Sequence, residues 1–249
     1  MVSAALQGVF HSLRVYHGAA APKARMDALY AQFIVAGDLV FDIGSHVGDR
    51  VSSFRRLGAR VIAVEPQPLL QRALRLIHGR DPSVILLASA AGKETGTATL
   101  HVNSRNPTIS TLSDAFMIEA STADGWRNQI WDSAVSVPVI TLDRLSAAFG
   151  PPAFIKIDVE GFEDEVLLGL SQSVPALSFE FTTIARDVAL RCIDRLSQLG
   201  PYMFDVALGE SQMLTFGRWV KGPDMADHIR NLPHAANSGD VYAVRCKDA

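Results

Sequence analysis

The sequence has few cysteines and no long apolar run. Its two cysteines, Cys192 and Cys246, stand outside any CxxC or Cys/His spacing, and its seven histidines form no HExxH-like pair. These patterns argue against a structural zinc site and a disulfide framework, and they are compatible with a reducing compartment. No stretch reaches the roughly 18 apolar residues of a transmembrane helix. We therefore expect no membrane span.

A strong excess of charge is also missing. The formal net charge of the 249 residues is −3, and there is no run of Lys or Arg. Nucleic acids and anionic membranes select basic surfaces, so neither is an expected partner. The arginines from Arg50 to Arg80 fall between apolar helix positions, which favours a solvated helix face. Residues 1–10 lack a basic segment and an apolar core, so no secretory signal is expected and the predicted location is cytoplasmic.

The pattern of apolar residues predicts one α/β domain over residues 1–249. Hydrophobic residues make up 48% of the chain and charged residues 20%, as in ordinary globular proteins. Residues 1–36 have helical spacing and predict an N-terminal helical extension. From residue 37, short apolar runs alternate with amphipathic segments up to residue 91, and the alternation resumes at residue 153. Such alternation predicts a mostly parallel sheet with helices on both faces and a ligand crevice at the carboxyl ends of the strands.

Two polar segments interrupt this alternation. Residues 103–134 predict a partly helical excursion that is either a lid on the substrate side or a covering of a sheet edge. Residues 135–143 are predicted to be extended, and Pro138 suits an edge strand better than a central one. Residues 209–240, rich in polar residues and prolines towards their end, are predicted as a second loop on the substrate side.

The first strand leads into a glycine-spaced turn, Asp42-Ile-Gly-Ser-His-Val-Gly48. A dinucleotide fingerprint needs a glycine where His46 stands, because there the backbone approaches a pyrophosphate. S-adenosylmethionine has no phosphate and needs a close turn with acidic or polar groups. Glu65 ends the next strand, where a carboxylate can hold both ribose hydroxyls, although Asp42 and Glu65 could instead be charges favoured at helix termini. The residues predicted to bind the cofactor are Asp42, Gly44, Ser45, His46, Gly48, Asp49, Glu65, Pro66, Gln67, Ser89 and Ala90.

A second unusual run, residues 154–161, alternates Lys156, Asp158 and Glu160 with apolar residues. Central parallel strands are normally apolar throughout, and these charges would share one side if the strand stayed extended. One interpretation is a catalytic site in which Asp158 or Glu160 acts as general base or binds a divalent ion, Lys156 tunes their pKa values and Glu180 lies near. The other is a structural Lys156–Asp158 pair. We predict Lys156, Asp158 and Glu160 as catalytic and assign no metal site.

Together these motifs resemble the FkbM family of S-adenosylmethionine-dependent methyltransferases. The resemblance covers about residues 37–181 and depends most on the glycine turn, on Val64-Glu-Pro66 and on Lys156-Ile-Asp-Val-Glu-Gly161, with support from Ala90-Ala-Gly92 and Thr141-Leu-Asp143. It implies a class I methyltransferase (Rossmann-like) fold, with a seven-stranded sheet that has one antiparallel strand. It also implies S-adenosylmethionine as cofactor and methylation of a hydroxyl on a small molecule or glycan: a sugar, glycolipid or secondary metabolite.

Two other functions compete with this one. An NAD-linked oxidoreductase is disfavoured by His46 and by the lack of a Tyr-x-x-x-Lys pattern. A non-catalytic protein of the same fold, which binds S-adenosylmethionine or a partner, is disfavoured by the intact glycine turn, Glu65 and the charged strand. The oligomeric state does not follow from the sequence.

Overall fold

The computed structural model describes residues 4–18 and 20–246. Its helices and strands alternate along the chain much as the apolar pattern predicts. In chain order they are α1 (Ala4–Gly18), α2 (Ala20–Tyr30), β1 (Leu39–Ile43), α3 (Asp49–Arg56), β2 (Arg60–Val64), α4 (Pro68–His78), β3 (Val84–Leu87), β4 (Ala90–Ala91), β5 (Gly96–Val102), α5 (Asp114–Thr122), β6 (Ser133–Ile140), α6 (Leu142–Phe149), β7 (Phe154–Ile157), α7 (Glu163–Leu168), β8 (Ala176–Thr182), α8 (Arg186–Leu199), β9 (Tyr202–Leu208), α9 (Gly222–Asn231) and β10 (Ser238–Arg245), with short 3₁₀ turns at Pro107–Ile109 and His234–Ala236.

The central sheet has seven strands in the order β3-β2-β1-β7-β8-β10-β9. The neighbouring pairs from β3 to β8 are parallel, while β10 runs antiparallel to both β8 and β9. This is the class I methyltransferase arrangement that the family resemblance implies. The chain moves outward from β1 to β3 and then returns to the other side of β1 with β7. The carboxyl ends of β1 and β7 therefore meet at a topological switch point, where ligands of such sheets bind.

Helices cover both faces of this sheet. Leu39, Phe41 and Ile43 of β1 join a core with the helices α6 to α9, whereas Val40 faces a second core with α2 and α3. Alternate residues of a strand point to opposite faces, so one apolar strand serves both cores. Cys192 of α8 is fully buried in the first core, as its position on an apolar stripe predicts.

A small sheet in the order β4-β6-β5 stands beside the central one. The prediction that Pro138 lies in an edge strand is wrong, because its strand, β6, is the middle strand of this small sheet. Proline is nevertheless accommodated at position 138. Pro138 lies opposite Thr97 of β5, whereas β4 pairs only with Val139 and Ile140. Pro138, which cannot donate a backbone hydrogen bond, thus has a neighbouring strand on one side only.

The segment 209–240 is not the continuous loop that its polar composition predicts. Residues Gly222–Asn231 form α9, and the side chains of Met225 and Ile229 are fully buried against the first core. Only two deeply buried positions in ten residues carry the apolar signal, and the rest of the helix is polar. The other long segment, 103–134, does contain the predicted helix, α5. No helix within the described residues is long and apolar enough to cross a membrane.

Candidate active site

The turn after β1 requires glycine at two positions. Gly44 has φ of +83°, and a Cβ placed there would lie 1.8 Å from the backbone oxygen of Asp158. Gly48 has φ of +82°, and its Cβ would lie 2.7 Å from a methyl carbon of Leu74. Only glycine adopts these left-handed conformations without strain and leaves space for the neighbouring chain. The two glycines therefore let the first turn fold tightly between β7 and α4.

The carboxylate of Glu65 closes this turn from β2. Glu65 Oε2 accepts a hydrogen bond of 2.9 Å from the backbone N–H of His46, and Oε1 accepts one of 2.8 Å from the N–H of Gln67. Burial raises the pKa of Glu65 to about 8, although these two N–H donors oppose the shift. Glu65 thus holds the glycine turn and the start of α4 in one arrangement while its carboxylate faces a cavity.

Asp42 takes a different place from the one its position in the motif suggests. Its side chain is 1% exposed, and Oδ2 has no hydrogen-bond partner among the described residues. Burial, followed by the nearby carboxylate of Asp49, raises the pKa of Asp42 to about 7. The side chain lies beneath the turn, and Asp42 and Gly48 do not line the cavity.

The cavity lies at the carboxyl ends of β1, β2 and β7. It encloses about 900 Å³ of empty space, a volume that includes the open solvent at its mouth. Most of the residues predicted to bind the cofactor or to act in catalysis line it. They are Gly44, Ser45, His46, Asp49, Glu65, Pro66, Gln67, Ser89, Ala90, Asp158 and Glu160.

Lys156 does not reach the cavity. Its ammonium is fully buried, 2.7 Å from Oδ1 of Asp240 on β10 and 3.2 Å from Oδ2 of Asp158. Burial disfavours the charged ammonium, but Asp158 and Asp240 outweigh burial and raise the pKa of Lys156 well above its usual value. The same ammonium lowers the pKa of Asp158, against the effect of burial. Lys156 therefore forms the structural pair of the second interpretation, and that pair holds the Asp158 carboxylate beside the cavity.

The strand does not stay extended through the charged run, since β7 ends at Ile157, so the condition for the three charges to share one side is not met. Glu160 has φ of +56°, and the backbone N–H groups of Val159 and Gly161 both donate to Glu163 Oε1. This compact turn, and not strand alternation, carries Glu160 to the cavity. Carboxylate oxygens of Asp158, Glu160 and Glu180 lie within 4.8 Å of one another, so the predicted approach of Glu180 is confirmed.

Comparison with known families identifies the chain. A model of the methyltransferase FkbM domain matches residues 42–203, which includes the glycine turn, Glu65 and the charged turn after β7. The chain belongs to the FkbM methyltransferase family. The resemblance seen in the motifs is thereby confirmed, and with it membership of a family of S-adenosylmethionine-dependent methyltransferases.

Solved structures show more distant likenesses. Precorrin-6y C5,15-methyltransferase of Geobacter metallireducens is 15% identical, with a TM-score of 0.46 over 90% of this chain and 86% of its own. A TehB-like S-adenosylmethionine-dependent methyltransferase of Corynebacterium glutamicum is 9% identical, with a TM-score of 0.47 over 95% and 94%. Fibrillarin of Aeropyrum pernix, solved with bound S-adenosylmethionine, is 11% identical, with a TM-score of 0.46 over 87% and 73%. A search of curated proteins gave no match.

This FkbM methyltransferase also has cavity residues that the sequence patterns did not indicate. Tyr16 of α1 packs edge-on against the His46 ring at a centroid distance of 5.3 Å, and His17 forms a 2.9 Å hydrogen bond with the backbone oxygen of Val47. The N-terminal extension is therefore part of the site wall. No local signal marks Tyr16, whereas the prediction of a lid does point to the segment that supplies Thr108, Ser110, Thr111 and Leu112.

Arg50 is not on the solvated helix face expected for the arginines of this region. Its guanidinium is 2.5 Å from Asp49 Oδ2 and 3.1 Å from Glu210 Oε2, and it lines the cavity. Glu210 comes from the segment after β9, which the sequence predicts on the substrate side. The local helical pattern did not predict this position of Arg50, because its partner Glu210 is far away in the sequence.

Proposed function

We propose that this FkbM methyltransferase transfers a methyl group from S-adenosylmethionine to a hydroxyl oxygen of a small-molecule or glycan acceptor, such as a sugar, glycolipid or secondary metabolite. The observation that carries the proposal is one cavity with two chemically different walls. One wall is the glycine turn with Glu65, and the other is the carboxylate group around Asp158.

The first wall fits the cofactor. Gly44 lets the turn after β1 approach β7 closely, and Glu65 presents a carboxylate from the end of β2. Both oxygens of Glu65 hold backbone N–H groups, so the carboxylate is already oriented before a ribose hydroxyl donates to it. Gln67, Ser89 and Ala90 complete the wall predicted to hold the adenosine part. S-adenosylmethionine supplies a methyl group activated by its sulfonium.

The second wall handles the acceptor proton. Methylation of a hydroxyl requires the proton to leave, and a base within hydrogen-bond reach can take it. Lys156 keeps the pKa of Asp158 below the usual value, so Asp158 is ionised at neutral pH and can accept a hydrogen bond from the acceptor hydroxyl, although the low pKa also makes it a weak base. Lys156 acts through Asp158 and is a positioning residue. Alignment of the acceptor oxygen with the methyl group supplies the rest of the rate enhancement.

The acceptor is expected to enter beside the segment 103–134. Thr108, Ser110 and Thr111 line the cavity, where the hydroxyls of Ser110 and Thr111 already donate to Gln67 and to the backbone of Glu160, and Leu100 and Leu112 add apolar surface. Hydroxyl groups of this kind suit an acceptor that itself carries several hydroxyls, because each can donate or accept a hydrogen bond. This mixture favours a sugar-like or polyhydroxylated metabolite.

Calorimetry with S-adenosylmethionine and NAD tests the cofactor part of the proposal. We expect S-adenosylmethionine to bind and NAD not to bind. Glu65→Ala should weaken S-adenosylmethionine binding at least tenfold, whereas Glu94→Ala, which removes an exposed carboxylate, should leave it unchanged. Glu65→Gln keeps the volume and serves as the second variant if Glu65→Ala unfolds. Equal affinity of all four proteins would refute the assignment of Glu65.

Methyl transfer needs a separate test. Incubating the protein and isotopically labelled S-adenosylmethionine with extracts of polar metabolites and glycolipids should label a product whose new methyl is an ether. Asp158→Asn should lower the labelling rate by about 10²–10⁴-fold, the usual contribution of a general base. Binding of S-adenosylmethionine without any labelled product in either extract would favour the non-catalytic function.

A further inference from the structure

Three carboxylates converge at the inner end of the cavity. One oxygen each of Asp158, Glu160 and Glu180 lies within 4.8 Å of the others. Oxygen ligands on opposite sides of Ca²⁺ are about 5 Å apart, and those on Mg²⁺ about 4 Å, since metal–oxygen distances are 2.3–2.6 Å and 2.0–2.1 Å. The three oxygens are thus near enough to share an ion of the size of Ca²⁺, and a smaller ion such as Mg²⁺ would draw them closer together.

The cations of the neighbourhood do not neutralise this group. The ammonium of Lys156 is shared between Asp158 and Asp240, at 3.2 and 2.7 Å. Arg50, which does line the cavity, forms ion pairs with Asp49 and Glu210. Glu160 and Glu180 have no ion pair among the described residues. Buried carboxylates are costly unless they are paired or bind a metal.

A second observation is that the carboxylates of Glu160 and Glu180 receive no hydrogen bond from a cation or a backbone N–H of the described residues, and Glu180 shares one only with Asp158. Glu160 is 5% exposed, and its carboxylate receives no hydrogen bond from a described residue, although its backbone oxygen accepts one of 2.7 Å from Thr111. Oε2 of Glu180 is buried and has no hydrogen-bond partner in the described part of the chain. Buried carboxylate oxygens in native proteins are normally satisfied, so Oε2 of Glu180 points to a ligand that supplies positive charge.

The backbone holds the three side chains in this arrangement from independent elements. Asp158 follows β7, and Glu180 belongs to β8, opposite Asp240 of β10. The turn at Glu160 is fixed by Glu163, whose Oε1 accepts from Val159 and Gly161. Rigid donors of this kind bind an ion without having to be ordered first.

We propose that Asp158, Glu160 and Glu180 form a binding site for one hard divalent cation, of the class of Mg²⁺, Mn²⁺ or Ca²⁺. Carboxylate oxygens without nitrogen or sulfur ligands select such ions. All three residues line the cavity, so the remaining coordination positions face the space where an acceptor would lie. The proposal concerns binding alone and does not depend on the proposed acceptor.

Binding of Mn²⁺ to the full chain, followed by electron paramagnetic resonance and by calorimetry, tests this site. We expect one Mn²⁺ per chain, with a Kd below about 10⁻³ M, and displacement by Mg²⁺ or Ca²⁺. Glu160→Gln and Glu180→Gln should each weaken binding at least tenfold. Glu94→Gln removes an exposed carboxylate outside the cavity and should bind Mn²⁺ as the parent does.

Thermal unfolding separates loss of the site from loss of the fold. Without metal, Glu160→Gln and Glu180→Gln should be at least as stable as the parent, because each replaces a buried carboxyl group with a neutral amide of similar volume. Mn²⁺ should raise the Tm of the parent and of Glu94→Gln but not of Glu160→Gln, because a ligand stabilises only the state that binds it. The absence of Mn²⁺ binding at millimolar concentration, or equal binding by the parent and both cluster variants, would overturn the proposal. Protection by an alkylammonium salt in place of Mn²⁺ would overturn it too.

Discussion

Replacing Gly44 with alanine would introduce two separate penalties at the turn after β1. Gly44 has φ of +83°, a left-handed conformation that costs an L-residue about 1–2 kcal/mol. The added Cβ would also lie 1.8 Å from the backbone oxygen of Asp158 and 2.8 Å from its carbonyl carbon. Both atoms belong to the main chain, so relief requires the turn after β7 to move. Such overpacking typically costs a further 1–3 kcal/mol, roughly.

Gly125→Ala provides a matched control. Gly125 has φ of +85°, nearly the value at Gly44, but a Cβ added there would meet no atom within 4 Å. We expect urea denaturation to show a loss of about 1–2 kcal/mol in the free energy of unfolding for Gly125→Ala. Gly44→Ala should lose about 2–5 kcal/mol, the sum of both penalties. The difference between the two variants measures the contact with Asp158.

A second measurement connects this contact to function. Because Gly44 touches the backbone of Asp158, Gly44→Ala should displace both walls of the cavity and weaken S-adenosylmethionine binding at least tenfold in calorimetry. Gly125→Ala should bind the cofactor as the parent does. If Gly44→Ala were as stable as Gly125→Ala, the close approach of the β1 turn to β7 would be refuted. Full cofactor affinity in a destabilised Gly44→Ala would refute only the link to the binding site.

Three further predictions concern buried residues. Lys156→Met should lower the free energy of unfolding by about 3–5 kcal/mol in urea, because it leaves two carboxylates without their cation; adding Asp240→Asn should recover part of the loss. Asp42→Asn should change the pH dependence of stability, because the folded pKa of Asp42 is about 7, above that of the unfolded chain. Between about pH 4 and 7, the free energy of unfolding of the parent should therefore fall by up to about 1.4 kcal/mol per pH unit relative to the variant. At higher pH the difference between the two proteins should be constant. Met225→Ala should cost about 2–5 kcal/mol, because this side chain of α9 is fully buried.

Each of these predictions has a clear contrary outcome. A stable Lys156→Met protein would mean that Asp158 and Asp240 do not depend on the ammonium. Parallel stability curves for the parent and Asp42→Asn between pH 4 and 7 would contradict the burial of an uncompensated carboxyl group. A loss below about 0.5 kcal/mol for Met225→Ala, the range of ordinary surface substitutions, would place α9 outside the core.

Local sequence patterns were enough for the first half of the sheet. Apolar runs of strand length end at Asp42 and Glu65, and glycines follow where the chain must turn. These features depend on neighbours within a few residues, and the positions of Gly44 and Glu65 at the cavity follow from them. The same locality explains the failure at α9, where Met225 and Ile229 give too little apolar signal among polar neighbours.

The charged run after β7 shows the limit of such patterns. Alternation of Lys156, Asp158 and Glu160 predicts one shared side, but Lys156 faces Asp240 inside the sheet while Glu160 reaches the cavity through a left-handed turn. Whether a strand continues or turns depends on contacts made elsewhere. Here Glu163 and Thr111 bond the backbone of the turn, and neither bond is visible in a count of alternating residues.

The sequence by itself determined the family, the parallel α/β order and the glycine turn with Glu65, because these depend on residue types at short spacing. Only the tertiary structure brought Tyr16, Arg50, Glu180 and Glu210 to one cavity, since they come from elements that are distant along the chain. It also placed Lys156 of β7 in a buried pair with Asp158 and Asp240, and it brought Asp158 together with Glu160 and Glu180 at the cavity. Packing across the sheet decides which charged side chains come into contact, and the spacing of residues along the chain does not encode those contacts.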